Sequence, residues 1–369
     1  MKYNWQQPGW PEFDYDIRDI EDDLFAFASE TGHISGMLKA LPEDVKTETM
    51  LNTMVAEAIK TSEIEGEYLS RPDVMSSIRN NLGLNKNVEQ VRDQRSQGAG
   101  ELMVAVRNSF ASVLTEETLF TWHSMLLRQN VKIKIGVWRT HEEPMQVVSG
   151  TLGKEKIHFE APPSAQVPAE MRGFIQWFND TAPGGCKEIK KAPIRSAIAH
   201  LYFETIHPFE DGNGRIGRAL AEKALSQTIG RPVLLSLSQT IEADKKSYYK
   251  ALETAQRSNE ISAWLKYFTG VALNAQVHTK NLVDFKLKKT KFFDRFKDMF
   301  NERQLKVIKK MLDAGPQGFT SGMTARKYIS ITKTSKATAT RDLQMLAESG
   351  ALKTEGGGRS VYYVLDMGE

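Results

Sequence analysis

The apolar positions of the chain recur mostly at helical spacing. Over residues 43–64 a helical pattern runs through Met50, Met54, Ala58 and Ile59. It stops at Glu65-Gly66, where a glycine suits the residue past a helix end. Residues 1–35 are punctuated by aromatics and Pro before they turn helical, and 86–130 predict two more helices, over ELMVAVRNSF and ETLFTWHSMLLRQ. Between 136 and 163 the character changes: β-prone runs, MQVV and IHF, flank SGTLGKEK and predict a hairpin with a Gly-bearing loop. Helices resume at 168–179 and 193–206. The second opens with Pro in a first-turn position and would put Ile194, Ile198, Leu201 and Tyr202 on one face. Further helices are expected from about Arg215 through Leu225, at 241–257 and at 260–275, and a Lys-rich helical segment, 280–300, reads as a connector. In the last part, NERQLKVIKKMLDAG, MTARKYISIT and TSKATATRDLQMLAESG read as helices, and ALKTEGGGRSVYYVL as a hairpin turning at Gly356–Gly358. Three helices followed by a Gly-tipped hairpin is the winged helix-turn-helix pattern.

Composition adds bounds. At 369 residues the chain is expected to hold two or three domains, and 40% apolar with 26% charged residues is a globular balance. The N-terminal stretch MKYNWQQPGWPEFDYD lacks the apolar region of a secretory signal, and no run approaches 18 apolar residues, so the expectation is a cytoplasmic protein without a membrane span. The single cysteine, Cys186, excludes an internal disulfide and has no local metal-ligand partner. The overall charge of +3 hides an asymmetry: residues 280–369 carry a net +8 and residues 1–279 a net −5. The basic end suggests a partner of its own, such as nucleic acid, although a solvated Lys-rich helix face has the same composition.

The densest chemistry lies in HPFEDGNGRIGR, residues 207–218, between two predicted helices. The first N–H groups of the second helix have no intrahelical partner, and Gly212 and Gly214 let backbone approach a ligand, which makes an anion-binding nest. Arg215 and Arg218, three residues apart on one helix face, add forked donors suited to phosphate oxygens. Asp211 beside phosphates calls for a divalent cation, and Mg²⁺ takes one or two carboxylates plus phosphate oxygens. His207, just before the nest, has the chemistry to take a proton from an attacking hydroxyl. The residues therefore read as a Mg–polyphosphate site with a general base, and not as a Walker A loop, because no GK[ST] follows.

This stretch resembles the signature of the Fic family, His-x-Phe-x-Asp/Glu-Gly-Asn-Gly-Arg-x-x-Arg, at His207, Phe209, Asp211, Gly212, Asn213, Gly214, Arg215 and Arg218. The resemblance spans about 95–275 and, more coarsely, the N-terminal helices. It implies a mainly α fold, a helical core with a small β-hairpin flap, and transfer of AMP from ATP to a Ser, Thr or Tyr hydroxyl of a target protein or of the chain itself, with release of pyrophosphate. By the same resemblance His207 is the base, Phe209 a buried anchor and Asp211 the Mg²⁺ ligand. Gly212, Asn213 and Gly214 form the anion hole, Arg215 meets the β-phosphate and Arg218 the γ-phosphate. The intact Gly214-Arg215 argues against the branch that works as a kinase. Donors other than ATP stay open, as some relatives transfer UMP or phosphocholine.

Upstream, TSEIEG places Thr61 and Glu65 one helical turn apart, followed by Gly66. Alone this is an ordinary helix end. Beside the signature it is similar to the inhibitory motif Ser/Thr-x-x-x-Glu-Gly/Asn of regulated Fic proteins, which implies that Glu65 pairs with Arg218 and misplaces ATP. Removal of AMP by the same Glu is a secondary possibility. The 145–160 hairpin resembles the family flap, where a target segment would dock. Either Tyr248 and Tyr249 flank the adenine, or one of them packs in the core.

The expected organisation is an N-terminal helical region, 1–94, carrying the inhibitory helix, a catalytic core, 95–279, the basic connector, 280–300, and a winged-helix domain, 301–369. In that last domain Lys333, Lys336 and Arg341, with Arg359 in the wing, are placed to meet DNA phosphates, although winged helices also serve protein contacts. The alternative to an enzyme is a DNA-binding regulator in which the Fic fold senses nucleotide, but sensing needs no base, and His207 favours turnover. A homodimer is plausible from the resemblance alone.

Overall fold

The structure, a computed structural model, describes residues 2–128, 130, 132–149, 156–296, 299–316, 318–357 and 360–368. Its helices are α1 (Glu21–Ala40), α2 (Glu43–Ile64), α3 (Arg71–Asn81), α4 (Gln94–Asn108) and α5 (Glu116–Leu127). Strands β1 (Gln146–Ser149) and β2 (Lys156–Glu160) follow. Then come α6 (Val167–Asp180), α7 (Ala192–Ile206), α8 (Asn213–Ile229), α9 (Leu237–Ala243), α10 (Lys245–Ala255) and α11 (Ser262–Arg295). The chain ends with α12 (Glu302–Leu312), α13 (Ala325–Thr332), α14 (Lys336–Glu348), β3 (Leu352–Glu355) and β4 (Tyr362–Leu365). Two compact units divide it, Met1–Glu30 with Thr47–Val277, and Thr31–Lys46 with His278–Glu369.

Short polar side chains set many helix starts, as their oxygens satisfy backbone donors that a helix leaves orphaned. Ser70, Asp93 and Thr115 do this for α3, α4 and α5, and Pro193 fills an early position of α7. The first unit is organised around α7, every residue of which is buried. Ala199, Tyr202, Phe203 and Ile206 face one apolar cluster, formed with α2, α4, α5, α6 and α8. Ala192, Ile194, Ala197, Ile198 and Leu201 face a second, formed with α9, α10 and the first part of α11. The expected single face that joined Tyr202 to Ile194, Ile198 and Leu201 is therefore corrected: the helix is apolar all round because it lies between two clusters. α8 follows α7 after a six-residue turn and packs directly against it.

Two other expectations change. The helix expected at 241–257 breaks at Asp244, whose φ of −139° is not helical and whose carboxylate caps α10 by accepting from the Ser247 amide. The Lys-rich segment expected as a connector starts inside α11, which runs unbroken from Ser262, since no Gly or Pro lies between Ala275 and Lys280 to stop it. The hairpin β1–β2 is antiparallel, with a register shift between Val147 and Val148; its loop, 150–155, is outside the described residues.

In the second unit, α12, α13, α14 and the antiparallel pair β3–β4 enclose Val307, Ile308, Met311, Leu343 and Leu346. Met323 and Tyr363 exchange both backbone hydrogen bonds. Three helices then a hairpin is the order read from the sequence. Ser335 caps α14, Lys336 and Arg341 are exposed in its first half, and Lys333 is exposed where α13 ends. Gly358 and Arg359, expected in the wing, lie outside the described residues.

Candidate active site

The turn 207–212 begins and ends in left-handed backbone. His207 closes α7 with φ 50°, and Gly212 opens α8 with φ 80°, a left-handed conformation that glycine adopts without steric cost. Asn213 clamps the turn from inside: its Oδ1 accepts from the Phe209 amide at 2.9 Å and its Nδ2 donates to the Phe209 carbonyl at 2.8 Å. Phe209 is fully buried and stacks on His123 at 4.1 Å.

His123 and Arg139 were not singled out from the sequence, and both support this turn. The Gly136 amide donates to His123 Nδ1 at 2.9 Å, so the ring proton sits on Nε2, which lies 3.2 Å from the Asp211 carbonyl. Arg139 donates from Nε to the His207 carbonyl at 2.8 Å and from Nη1 to Ser164 Oγ at 2.9 Å, while its amide bonds the Pro208 carbonyl. It thereby ties the turn to the segment leaving β2. Burial pulls the Arg139 guanidinium down to about 10, still charged at neutral pH.

His207 is held beside that charge. Burial first, and then the Arg139 charge, lower its imidazole to about 4, so it is neutral at physiological pH. Its Nδ1 lies 3.4 Å from the Glu204 carbonyl and 3.7 Å from Glu204 Oε2. Burial pushes the Glu204 carboxyl up to about 8.

Both arginines of the stretch are buried, and each faces an acid from beyond α7 and α8. Arg218 donates from Nε to Thr61 Oγ1 at 2.7 Å, and from Nη2 to the Thr61 carbonyl at 2.9 Å and to Glu65 Oε1 at 2.7 Å. Its Nη1 is buried without a hydrogen-bond partner among the described residues. Burial works against the Glu65 carboxylate, but the Arg218 charge and hydrogen bond more than offset it and hold the group below its ordinary pKa. The same contact raises Arg218 against its own burial. Glu65 also sits on the helix start: a Cβ added to Gly214 would lie 2.3 Å from its Oε1. Arg215 Nη1 donates to Glu67 Oε2 at 2.6 Å, with Asp211 Oδ1 3.7 Å from Nη2. Glu67 reaches it because Gly66, φ +81°, turns the chain back after α2. The end of α2 is fastened from α10, where Lys245 Nζ and the Tyr249 hydroxyl donate to the Ile64 carbonyl at 2.8 and 3.2 Å.

Asp211 keeps 48% of its side chain exposed, and its Oδ1 accepts from the Gly212 amide at 2.6 Å. Among the described residues no three His, Cys, Asp or Glu side chains gather as a metal cluster. A lone accessible carboxylate fits a cation whose other ligands are phosphate oxygens and water. Of the two tyrosines, Tyr248 packs in the core with its hydroxyl on His200 Nε2 at 2.8 Å, so it has no ring face to offer an adenine, whereas Tyr249 is 41% exposed.

Residues 3–84 match a domain of unknown function, DUF4172, and residues 113–225 match the Fic/DOC family. A Fido domain-containing protein of Dictyostelium discoideum is 35% identical over 106 residues, covering 28% of this chain and 68% of that protein. The chain belongs to the Fic family. A relative from Aquifex aeolicus, described as a "Probable protein adenylyltransferase", is 33% identical over 98 residues. The chain spans 27% of that relative's length. The crystal structure of a Fic family protein from Desulfovibrio desulfuricans shares the fold over 93% of this chain and 95% of that one, with a TM-score of 0.51 and 19% identity. The Fic match covers the turn and both arginines, and the match to the domain of unknown function covers Thr61, Glu65, Gly66 and Glu67.

Proposed function

We propose that the protein is an autoinhibited adenylyltransferase that transfers AMP from Mg–ATP to a hydroxyl side chain of a target protein or of itself. The observation that carries this reading is that Glu65 Oε1 accepts from the buried Arg218 guanidinium at 2.7 Å while its carboxylate also feels the charges of Arg215 and of His207. A hydroxyl oxygen attacks the α-phosphorus, its proton passes to His207, and pyrophosphate leaves. Orphan amides at the α8 N-terminus and the Gly212–Asn213–Gly214 turn stabilise the charge that develops. Arg215 and Arg218 hold the β- and γ-phosphates. A divalent cation on Asp211 would neutralise phosphate charge. Phe209 and Asn213 keep the turn in place.

Glu65 is the brake, supported by Thr61 and by the turn at Gly66. With its carboxylate on Arg218 and over Gly214, ATP loses the guanidinium meant for its γ-phosphate, and its α-phosphate is set wrongly for in-line attack. A misplacement of ~1 Å is enough to cost ~100-fold in rate. A target segment docks along the 145–160 hairpin by strand addition. AMP transfer from labelled ATP by the Glu65→Gly chain tests the reading.

A second activity is proposed for 301–369 as a winged helix. Lys333, Lys336 and Arg341 are exposed together on and before α14, which suits duplex phosphates. Binding to random duplex that weakens steeply with salt supports it, and no binding at low salt removes it.

A further inference from the structure

Buried polar atoms without a hydrogen-bond partner gather behind the arginine that Glu65 holds. Among the described residues they include His200 Nδ1 and Glu204 Oε1 on α7 and Arg218 Nη1 on α8. A buried carboxyl oxygen and a buried guanidinium N–H that both stay unbonded are costly and uncommon. The second carboxyl oxygen of this acid, Glu204 Oε2, faces His207 Nδ1 at 3.7 Å.

Two glycines of α8 bring these atoms to one face. A Cβ added to Gly217 would lie 2.4 Å from Glu204 Oε1 and 3.1 Å from His200 Nδ1, so the bare backbone there admits the carboxyl. A Cβ added to Gly214 would lie 3.1 Å from Arg218 Nη1. Positions three apart on a helix share a face, with about 5–6 Å between their Cβ atoms. Glu204 Oε1 and Arg218 Nη1 therefore sit over neighbouring positions, and each group feels the other's charge. Burial raises the Glu204 carboxyl and the Arg218 charge pulls it back, while Glu65 and Glu204 raise Arg218 against its burial.

At rest the hydrogen bonds of the Arg218 side chain all go to the brake segment: Nε to Thr61 Oγ1, and Nη2 to the Thr61 carbonyl and to Glu65 Oε1. Once Glu65 leaves, Nη2 loses its acid and Nη1 still has no partner, so nothing on α7 or α8 fixes the plane of the fork. Glu204 is the other acid whose charge Arg218 feels. Burial keeps its carboxyl neutral below about 8. A neutral carboxyl oxygen accepts an N–H without cancelling the charge that a phosphate needs.

We propose that Glu204 is the positioning residue for Arg218 in the released site. After Glu65 leaves, Glu204 Oε1 accepts from Arg218 Nη1, Thr61 Oγ1 keeps Nε, and Nη2 is presented to the γ-phosphate. The identity of that phosphate rests on the adenylyltransferase reading. Gly217 makes room for the contact.

Calorimetric titration of Mg–ATP and Mg–ADP into the full chain carrying Glu65→Gly and His207→Ala tests it, since no effect on binding can then pass through His207. This parent should bind Mg–ATP more tightly than Mg–ADP. Adding Glu204→Met should raise the Kd for Mg–ATP about tenfold and leave that for Mg–ADP within about twofold, because ADP has no γ-phosphate. Glu204→Gln should keep Mg–ATP within about threefold of the parent, as the amide oxygen accepts the same N–H. Gly217→Ala, whose Cβ crowds Oε1 from the helix side, should show the same ATP-selective loss and serves where Glu204→Met does not fold. An unchanged Kd for Mg–ATP in Glu204→Met, an equal loss for both nucleotides, or a loss as large in Glu204→Gln overturns the proposal, while the parent's preference for Mg–ATP leaves the adenylyltransferase reading standing. A parent that binds the two nucleotides equally, or binds neither, removes the γ-phosphate contact at Arg218, and with it both the proposal and that part of the reading.

Discussion

Arg218 Nη2 and Glu65 Oε1 meet at 2.7 Å across 153 residues of sequence, with the guanidinium buried and 31% of the Glu65 side chain exposed. Removing one partner strands a buried charge, a loss of about 2 kcal/mol once discounted for the exposed side of the carboxylate. The Glu65→Gly chain should therefore melt a few degrees lower than wild type in calorimetry. Mg–ATP should raise its melting temperature more than it raises that of wild type, because phosphate oxygens replace the lost carboxylate.

Glu67 neutralises the other arginine from the same chain reversal at Gly66. Arg215 is 3% exposed, so this acid shields a guanidinium that has little contact with solvent. Glu67→Gln alone should raise AMP transfer only a few-fold, because Glu65 still holds Arg218. Combined with Glu65→Gly it should lower the KM for ATP and leave kcat nearly unchanged. Steady-state kinetics of both variants provide the check; an equal change in kcat and KM would place Glu67 outside phosphate binding.

Tyr249 reaches the brake helix directly through the Ile64 carbonyl. Tyr249→Phe removes that hydrogen bond and keeps the ring. Basal transfer should rise a few-fold with the KM for ATP unchanged, since one hydrogen bond of about 1 kcal/mol is lost and Lys245 remains. A raised KM would assign the hydroxyl to nucleotide binding instead.

The His207 imidazole, lowered to about 4, makes a pH prediction of definite sign. Its basic form is already present at pH 5.5, and it is lost only as pH falls through about 4. Removing Glu65 takes away a charge that favours the protonated ring, so the released chain shifts in the same direction. For Glu65→Gly, kcat/KM at pH 5.5 should lie within twofold of its value at pH 7.5. An imidazole with its ordinary value of about 6.5 would instead lose about tenfold over that range.

Much of this site was legible in the sequence because its residues are contiguous. Residues 207–218 lie in one turn and one helix start, so type and spacing report the geometry directly. Helix α2 was bounded to the residue by its periodicity and by Gly66. Contacts made by chain reversal or by distant elements left no local signal. Glu67 follows a recognisable Glu-Gly pair but reaches Arg215 only through the turn at Gly66. His123 and Arg139 each follow a tryptophan, in WHS and VWR, with no local motif around them, and they gain meaning only when α5 and the segment before β1 meet the turn. A buried His at a helical core position is the one hint that local reading offered. The two-sided burial of α7 was hidden for a related reason: most of its neighbours on each face come from elements distant in sequence.

AMP transfer by three forms of the full chain, wild type, Glu65→Gly, and Glu65→Gly with His207→Ala, reads the central claim most directly. With ATP labelled on the α-phosphate, label should enter protein at least ~10-fold faster in Glu65→Gly than in wild type, in line with the ~100-fold that misplaced reactants cost. His207→Ala in that background should bring it to the level of a reaction without enzyme. Equal labelling of wild type and Glu65→Gly would contradict the brake, and full labelling without His207 would contradict the base.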